Sequence, residues 1–325
     1  MKIPASLKPG DKIAIVSPAS VVNPDYIDGA SAFFEARGFC PVIMPHAKGP
    51  ASGSYAATDS DRLKDITDAY GDPAIRAILC ARGGYGCNHL LPFLPPALIA
   101  SDPKWLIGFS DVSALHALSS HAGIVSLHAP MAKHLATMPI DDISTLSLMK
   151  LLTQGLPHEY NVKSHPLNVS GEAEGILVGG NLAVINGLAD TPYDPLNIPG
   201  PKILFMEDIG EHIYEVERML IRIILSGRFD EIAGIICGQF TNYSADRNFQ
   251  TMEEMIANLL SPDSPLLSLA PGNTSLLHSL PSLHRSKLPI ALGFPSGHTD
   301  CNLPLPIGAK AKLTVRPDNV TLQLS

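Results

Sequence analysis

The chain has 325 residues, 45% of them hydrophobic and 17% charged, with a formal net charge of −8. That length fits two domains of ordinary size, and the apolar content is ample for their cores, which excludes a disordered chain. The acidic balance and the singly scattered Lys and Arg residues argue against nucleic acid or an anionic membrane as partner. Met1 to Asp11 is broken by prolines and charges, so no signal peptide is expected there. No apolar run reaches the roughly 18 residues of a membrane span. The five cysteines, Cys40, Cys80, Cys87, Cys237 and Cys301, form no C-x-x-C pair. Cys40, Cys80 and Cys237 sit in apolar strand-like runs and read as buried small hydrophobes in a reducing compartment, with the cytoplasm as the default.

The first half alternates strand and helix signals. Lys12 to Ser17 is a short β-branched apolar run, and Pro24 to Arg37 has helical apolar spacing closed by Gly38. Cys40 to Met44 reads as a second strand. Thr58-Asp59-Ser60-Asp61 opens a helix that Gly71-Asp72-Pro73 stops. Ala77 to Cys80 is a third strand, running into Arg82-Gly83-Gly84-Tyr85-Gly86. Trp105 to Ile107 is a fourth, followed by Gly108-Phe109-Ser110-Asp111 and a helical pattern, and Gly123 to Leu127 is a fifth. This alternation predicts a parallel sheet with helices on both faces and functional groups beyond the strands' carboxyl ends.

From Gln154 to Gly171 the pattern lapses into Gly, Pro, His, Asn and Ser, which marks a boundary. The expected organisation is therefore an N-terminal domain over 1–153, a linker over 154–171 and a C-terminal domain over 172–325. The second half resumes with strands at Glu174 to Val178, Lys202 to Met206, Ile232 to Cys237 and Ile290 to Gly293. Helices are expected over His212 to Leu225 and Met252 to Leu260. Ser261 to Pro289 has no clean period and reads as a surface excursion, and a closing hairpin spans Ala311 to Leu324.

Four stretches carry candidate chemistry. Ser110 lies on a strand-to-helix turn, which either caps the helix or presents a nucleophilic hydroxyl beside backbone N–H groups; the two readings weigh evenly on this stretch alone. The Gly83-Gly84 turn lacks the third glycine of a dinucleotide fingerprint, since His89 stands there, and no P-loop motif occurs. It remains either a tight turn or a cradle for an anion or oxyanion. Glu207 follows the apolar run Ile203 to Met206, where a carboxylate is costly without a partner; a cap or structural ion pair is the plainer explanation. His298 follows an apolar strand and a Pro-Ser-Gly turn, a setting that presents an imidazole at a domain edge. His212 and Glu215 share a helix face, but no further ligand accompanies them, so a metal site is weakly supported. Ser110, Glu207 and His298 together have the three roles of nucleophilic acyl transfer: attack, proton carriage and orientation of the imidazole.

At these residues the chain resembles the L,D-carboxypeptidase family of serine peptidases, which includes murein tetrapeptide carboxypeptidases and microcin C self-immunity peptidases. The resemblance spans nearly the whole chain: Gly10 to Pro18, Ala81 to Gly86, Gly108 to Asp111, Gly179-Gly180-Asn181-Leu182, Thr191-Pro192-Tyr193, Glu207 to Glu211 with Tyr214 and Arg218-Met219-Leu220, and Gly297-His298. It implies Ser110 as nucleophile, Glu207 as orienting carboxylate, His298 as base and acid, and an oxyanion hole from the N–H groups of Asp111, Gly83 and Gly84. It further implies an α/β fold with a flavodoxin-like N-terminal domain, a C-terminal domain with a barrel-like sheet and helices, a site between them, a homodimer, and no metal or organic cofactor. The substrate expected is a muropeptide, with release of terminal D-alanine in peptidoglycan recycling. An aminoacyl-nucleotide amidase of the microcin C type is the alternative, and a non-catalytic nucleotide- or peptide-binding protein a distant one. Two departures stand out: Ala129 replaces the more usual glycine after His128, and Asp263 to Lys287 is longer than usual and would reshape substrate choice if it covered the cleft.

Overall fold

The computed structural model of the protein describes residues 1–261, 264 and 288–325. The strands in chain order are β1 Lys12–Val16, β2 Cys40–Ile43, β3 Ile75–Cys80, β4 Trp105–Gly108, β5 Ser126–His128, β6 His158–Lys163, β7 Gly171–Asn181, β8 Lys202–Ile209, β9 Ile232–Thr241, β10 Ile290–Ala291, β11 Leu305–Ile307, β12 Lys310–Val315 and β13 Asn319–Leu324. The excursion beginning at Asp263 lies outside the described residues.

β1 to β5 form a parallel sheet in the order β2-β1-β3-β4-β5, the flavodoxin-like arrangement expected from the alternating pattern. Its central strands are apolar on both faces because both faces are covered, whereas the edge strand β2 is only partly covered and Cys40, expected to be buried, is exposed there. Side-chain alternation sorts them: Ile13, Ile15, Leu79, Trp105 and Ile107 join one core, while Ala14, Val16, Ile78, Cys80 and Leu106 join the other. The helix Asp59–Gly71 starts where the sequence places it, with Thr58 Oγ1 accepting from the Asp61 N–H at 3.2 Å. Trp105 is fully buried and its Nε1 donates to the Ala5 carbonyl at 3.0 Å.

The second sheet is mixed, in the order β10-β9-β8-β7-β12-β13-β6. Its convex side packs on the amphipathic helices Ile213–Leu225 and Met252–Leu259. Its other side gathers Leu177, Ile203, Phe205, Ile236, Phe294, Leu313 and Leu322 into one core. The antiparallel bridge Val169–Ile290 brings the chain just after β6 against the opposite edge strand. The sheet is thus curled, as the barrel-like expectation has it, but its strand order is open and no closed barrel forms among the described residues.

Two corrections concern the expected domain boundaries. The 154–171 stretch is not only a linker: His158–Lys163 pairs antiparallel with β13 along its whole length. Its alternating burial of His158 and Tyr160 is the strand signal that the surrounding Pro, His and Asn residues obscured. Leu305–Ile307, expected within the C-terminal domain, instead adds antiparallel to β5 at the edge of the first sheet. Its three apolar residues satisfy that otherwise open edge.

Candidate active site

The carboxyl ends of β3 and β4 supply the first part of the site. After β4, Phe109 is extended and Ser110 turns into the left-handed region with φ 63°. That conformation is uncommon for a residue with a Cβ and costs about 1–3 kcal/mol unless its surroundings hold it. Ser110 is the first residue within the helical turn Ser110–Val112, whose N-cap position is Phe109, and the helix that follows starts from Val112, so Ser110 is not the cap of either.

The glycine turn lies directly against it. A Cβ on Gly83 would stand 2.8 Å from Ser110 Cβ and 3.0 Å from its Oγ, so only glycine permits this approach. The buried Arg62 guanidinium donates to the carbonyls of Pro18 and Gly86 and holds the turn against the loop after β1. Neither the Gly83 nor the Gly84 N–H is used by a backbone or side-chain acceptor among the described residues. Asp111 turns its carboxylate away, accepting from the Cys87 N–H at 2.8 Å; burial pushes that carboxyl above its ordinary pKa. Only its backbone therefore remains for an oxyanion, in keeping with the role the resemblance implies.

The second sheet supplies the rest. Glu207 does not end its strand, which continues to Ile209, but sits at a register shift between β8 and β9. Such a bulge re-aims a side chain. The Glu207 side chain is fully buried, and among the described residues no Lys or Arg pairs with it, so the ordinary structural ion pair is absent there. Its Oε2 lies 2.6 Å from His298 Nδ1. Burial alone would push the Glu207 carboxyl up, but the imidazoles of His128 and His298 outweigh it and hold the pKa at about 2. The carboxylate is therefore ionised, and it fixes His298 with its proton on Nδ1.

His298 rides on a tight loop. Gly297 has φ 126°, and a Cβ there would come within 3.0 Å of Glu207 Cβ and Oε2. The Gly297 N–H donates to Asn302 Oδ1 at 2.9 Å, and the Asn302 N–H donates to Ser144 Oγ of the first half at 2.9 Å. Phe109, the residue before Ser110, meets the His298 ring edge-on at 4.8 Å between centroids. The two halves thus position each other's functional side chains.

Ser110, Gly83, Gly84 and His298 line one cavity of about 750 Å³, with Arg82, Tyr26, Met131, Lys133, Asn302 and Asp300 around them. Glu207 lies beneath it. The structure brings Ser110, Gly83, Gly84, Glu207 and His298 together, while the Asp111 side chain turns away. His212 and Glu215 are not part of it: they form a capping box, with the His212 N–H donating to Glu215 Oε2 at 2.8 Å. No cluster of three metal-ligating side chains occurs among the described residues. His128 was missed as a neighbour of Glu207, because nothing in the spacing of β5 signals a contact with a strand of the other sheet.

Comparison with known proteins bears directly on this arrangement. Residues 13–129 match a family model described as the LD-carboxypeptidase N-terminal domain, and residues 174–271 match the LD-carboxypeptidase C-terminal domain. A murein tetrapeptide carboxypeptidase of Pseudomonas aeruginosa is 31% identical over 84% of this chain and 88% of its own. The microcin C7 self-immunity protein of Escherichia coli is 25% identical over 98% of this chain and 94% of its own. The crystal structure of muramoyltetrapeptide carboxypeptidase from Oxalobacter formigenes has a TM-score of 0.79 at 28% identity, covering 97% of this chain and 98% of that one. The class is thus that of α/β peptidases built on two sheets. The chain belongs to the LD-carboxypeptidase family.

Proposed function

We propose that this protein is a serine-type L,D-carboxypeptidase that releases terminal D-alanine from a murein tetrapeptide in peptidoglycan recycling. The observation that carries the reading is the buried Glu207–His298 pair, whose imidazole opens onto the cavity that Ser110 and the Gly83-Gly84 turn also line. In the reaction, Ser110 Oγ attacks the carbonyl of the L,D amide while His298 Nε2 takes its proton. The free N–H groups of Gly83, Gly84 and Asp111 receive the oxyanion. His298 then gives the proton to the departing amine of D-alanine, leaving an ester on Ser110. Water, deprotonated by His298, cleaves that ester, and the proton returns to Ser110 as the shortened peptide leaves. Glu207 keeps its negative charge throughout and stabilises the imidazolium.

The match to the murein tetrapeptide carboxypeptidase, at 31% identity against 25% for the microcin protein, favours a muropeptide over an aminoacyl nucleotide. All five cysteines are free thiols, which supports a reducing compartment and hence the cytoplasm. No described helix is long and apolar enough to cross a membrane. A homodimer accompanies this reading and is checked by light scattering. The decisive experiment is mass spectrometry of a muropeptide tetrapeptide incubated with the protein, beside an aminoacyl sulfamoyl-adenylate. Loss of one terminal alanine from the first is expected. Cleavage of the second alone, or of neither, overturns the reading.

A further inference from the structure

Glu207 has a second buried neighbour besides His298. Among the described residues the carboxylate's Oε1 has no hydrogen-bond partner, although the side chain is inaccessible to solvent. His128, at the end of β5 in the first sheet, is equally buried, and both of its ring nitrogens lack partners among the described residues. His128 Nε2 stands 3.8 Å from Glu207 Oε1. Two unpaired buried polar atoms thus face each other, in a protein interior where such groups are rare and costly.

The neighbouring His116 provides an internal control. Its ring lies 6.3 Å from that of His128, yet Nδ1 pairs with Ser126 Oγ and Nε2 with the Gly108 carbonyl, each at 2.8 Å. His116 is a satisfied core histidine. His128 is not, and the group its Nε2 approaches is the carboxylate that holds His298. Its position is fixed by pairing with Gly108 of β4 on one side and Leu305 of β11 on the other. Its ring is packed by Phe205, at 4.8 Å, and Phe109, at 5.6 Å.

We infer that His128 is a positioning residue for the proposed reaction: its Nε2–H hydrogen-bonds Glu207 Oε1 during turnover. The inference rests on the reading of Ser110, Glu207 and His298 as the catalytic group. A shift of about 0.9 Å brings the contact to an ordinary N–H···O length of ~2.9 Å. With Oε1 held by His128 and Oε2 by His298, the carboxylate cannot rotate about its last torsion. It then meets the imidazolium in one orientation as His298 takes the Ser110 proton. The contact also makes the acid of the second sheet answer to a residue of the first.

The test replaces His128 with Leu, which keeps bulk but removes the donor, and with Gln, which restores an N–H. On a muropeptide tetrapeptide, His128→Leu is expected to lower kcat about ten- to a hundredfold, the scale of a lost hydrogen bond to a charged group, with KM within about twofold. His128→Gln is expected to recover most of that loss. Unchanged kcat in His128→Leu, or a Gln variant as impaired as Leu, overturns the inference. If the Leu variant does not fold, ¹⁵N NMR of the wild-type protein decides: a proton on His128 Nε2 whose resonance moves in Glu207→Gln supports the contact, and a proton on Nδ1 refutes it. Absence of hydrolysis by the wild-type enzyme refutes the proposed function rather than the contact, which the NMR reads independently.

Discussion

The two sheets bring opposite chemistry to the cleft. The first presents a strained serine and free backbone donors, with its one nearby carboxylate, Asp111, turned into the interior. The second presents a buried anion paired with an imidazole, on a strand whose register shifts at that residue. Oxyanion stabilisation depends on backbone geometry, which a parallel sheet's strand-to-helix turns supply readily. Proton transfer depends on a tuned carboxylate, which needs a closed, water-free setting. Neither sheet alone offers both, so the proposed site exists only where they meet.

Breaking either side tests this division, and the largest effects belong to the groups that touch the proton or the carbonyl. Ser110→Ala and His298→Ala are each expected to lower kcat on a muropeptide about 10⁶-fold, whereas Glu207→Ala costs nearer 10⁴, because the orienting carboxylate is the least costly of the three to remove. Steady-state kinetics check the order; an alanine at 110 with near-normal turnover sinks the mechanism. Gly83→Ala changes no reacting group but drives a methyl against Ser110, and about a hundredfold loss in kcat is expected from displacing the hydroxyl. Equal activity in that variant would show that the turn has room to move.

Acid pH sharpens the comparison through stability. Burial pushes the His116 pKa on the serine side from 6.5 to about 3, so the unfolded chain takes up a proton there that the folded chain refuses. His116 therefore contributes no penalty above pH 6.5 and a growing one as pH falls towards 3. The Glu207 pKa falls from 4.5 to about 2, so its stabilisation is complete above 4.5 and lost as pH falls towards 2. Denaturant titrations at a series of pH values are expected to show His116→Gln flattening the loss that begins near pH 6.5, while Glu207→Gln alters only the lower range. Coincident behaviour of the two variants contradicts the assignment. The smallest change in stability is that of Ser110→Gly, expected to raise it by about 1 kcal/mol through relief of the left-handed backbone even as the hydroxyl is lost. A melting temperature below wild type would argue against that strain.

Much of this was legible in the chain. The apolar runs at β1, β3 and β4 and the caps between them dictate a parallel sheet, because local period and local turn chemistry agree there. Ser110, Gly83 and His298 stand out for the same reason, each on a turn that its own residues define. Glu207 was visible through the cost of a carboxylate after four apolar residues. What the sequence hid is non-local. β6 lies within a stretch whose polar composition masks its alternation, and β11 is too short to register any period. The approach of His128 to Glu207 joins strands from different sheets, which no spacing along the chain encodes.

The path of the last residues has a mechanical consequence. After His298 the chain leaves the second sheet, lends β11 to the edge of the first, and returns as β12 and β13. The two sheets are therefore sewn together by a strand rather than merely pressed face to face. A hinge opening the cleft would have to tear the ladder between Leu305–Ile307 and Ser126–His128, so the molecule is expected to melt as one cooperative unit. In the proposed reaction, substrate would then enter a groove assembled once, at folding, and not remade with each catalytic cycle.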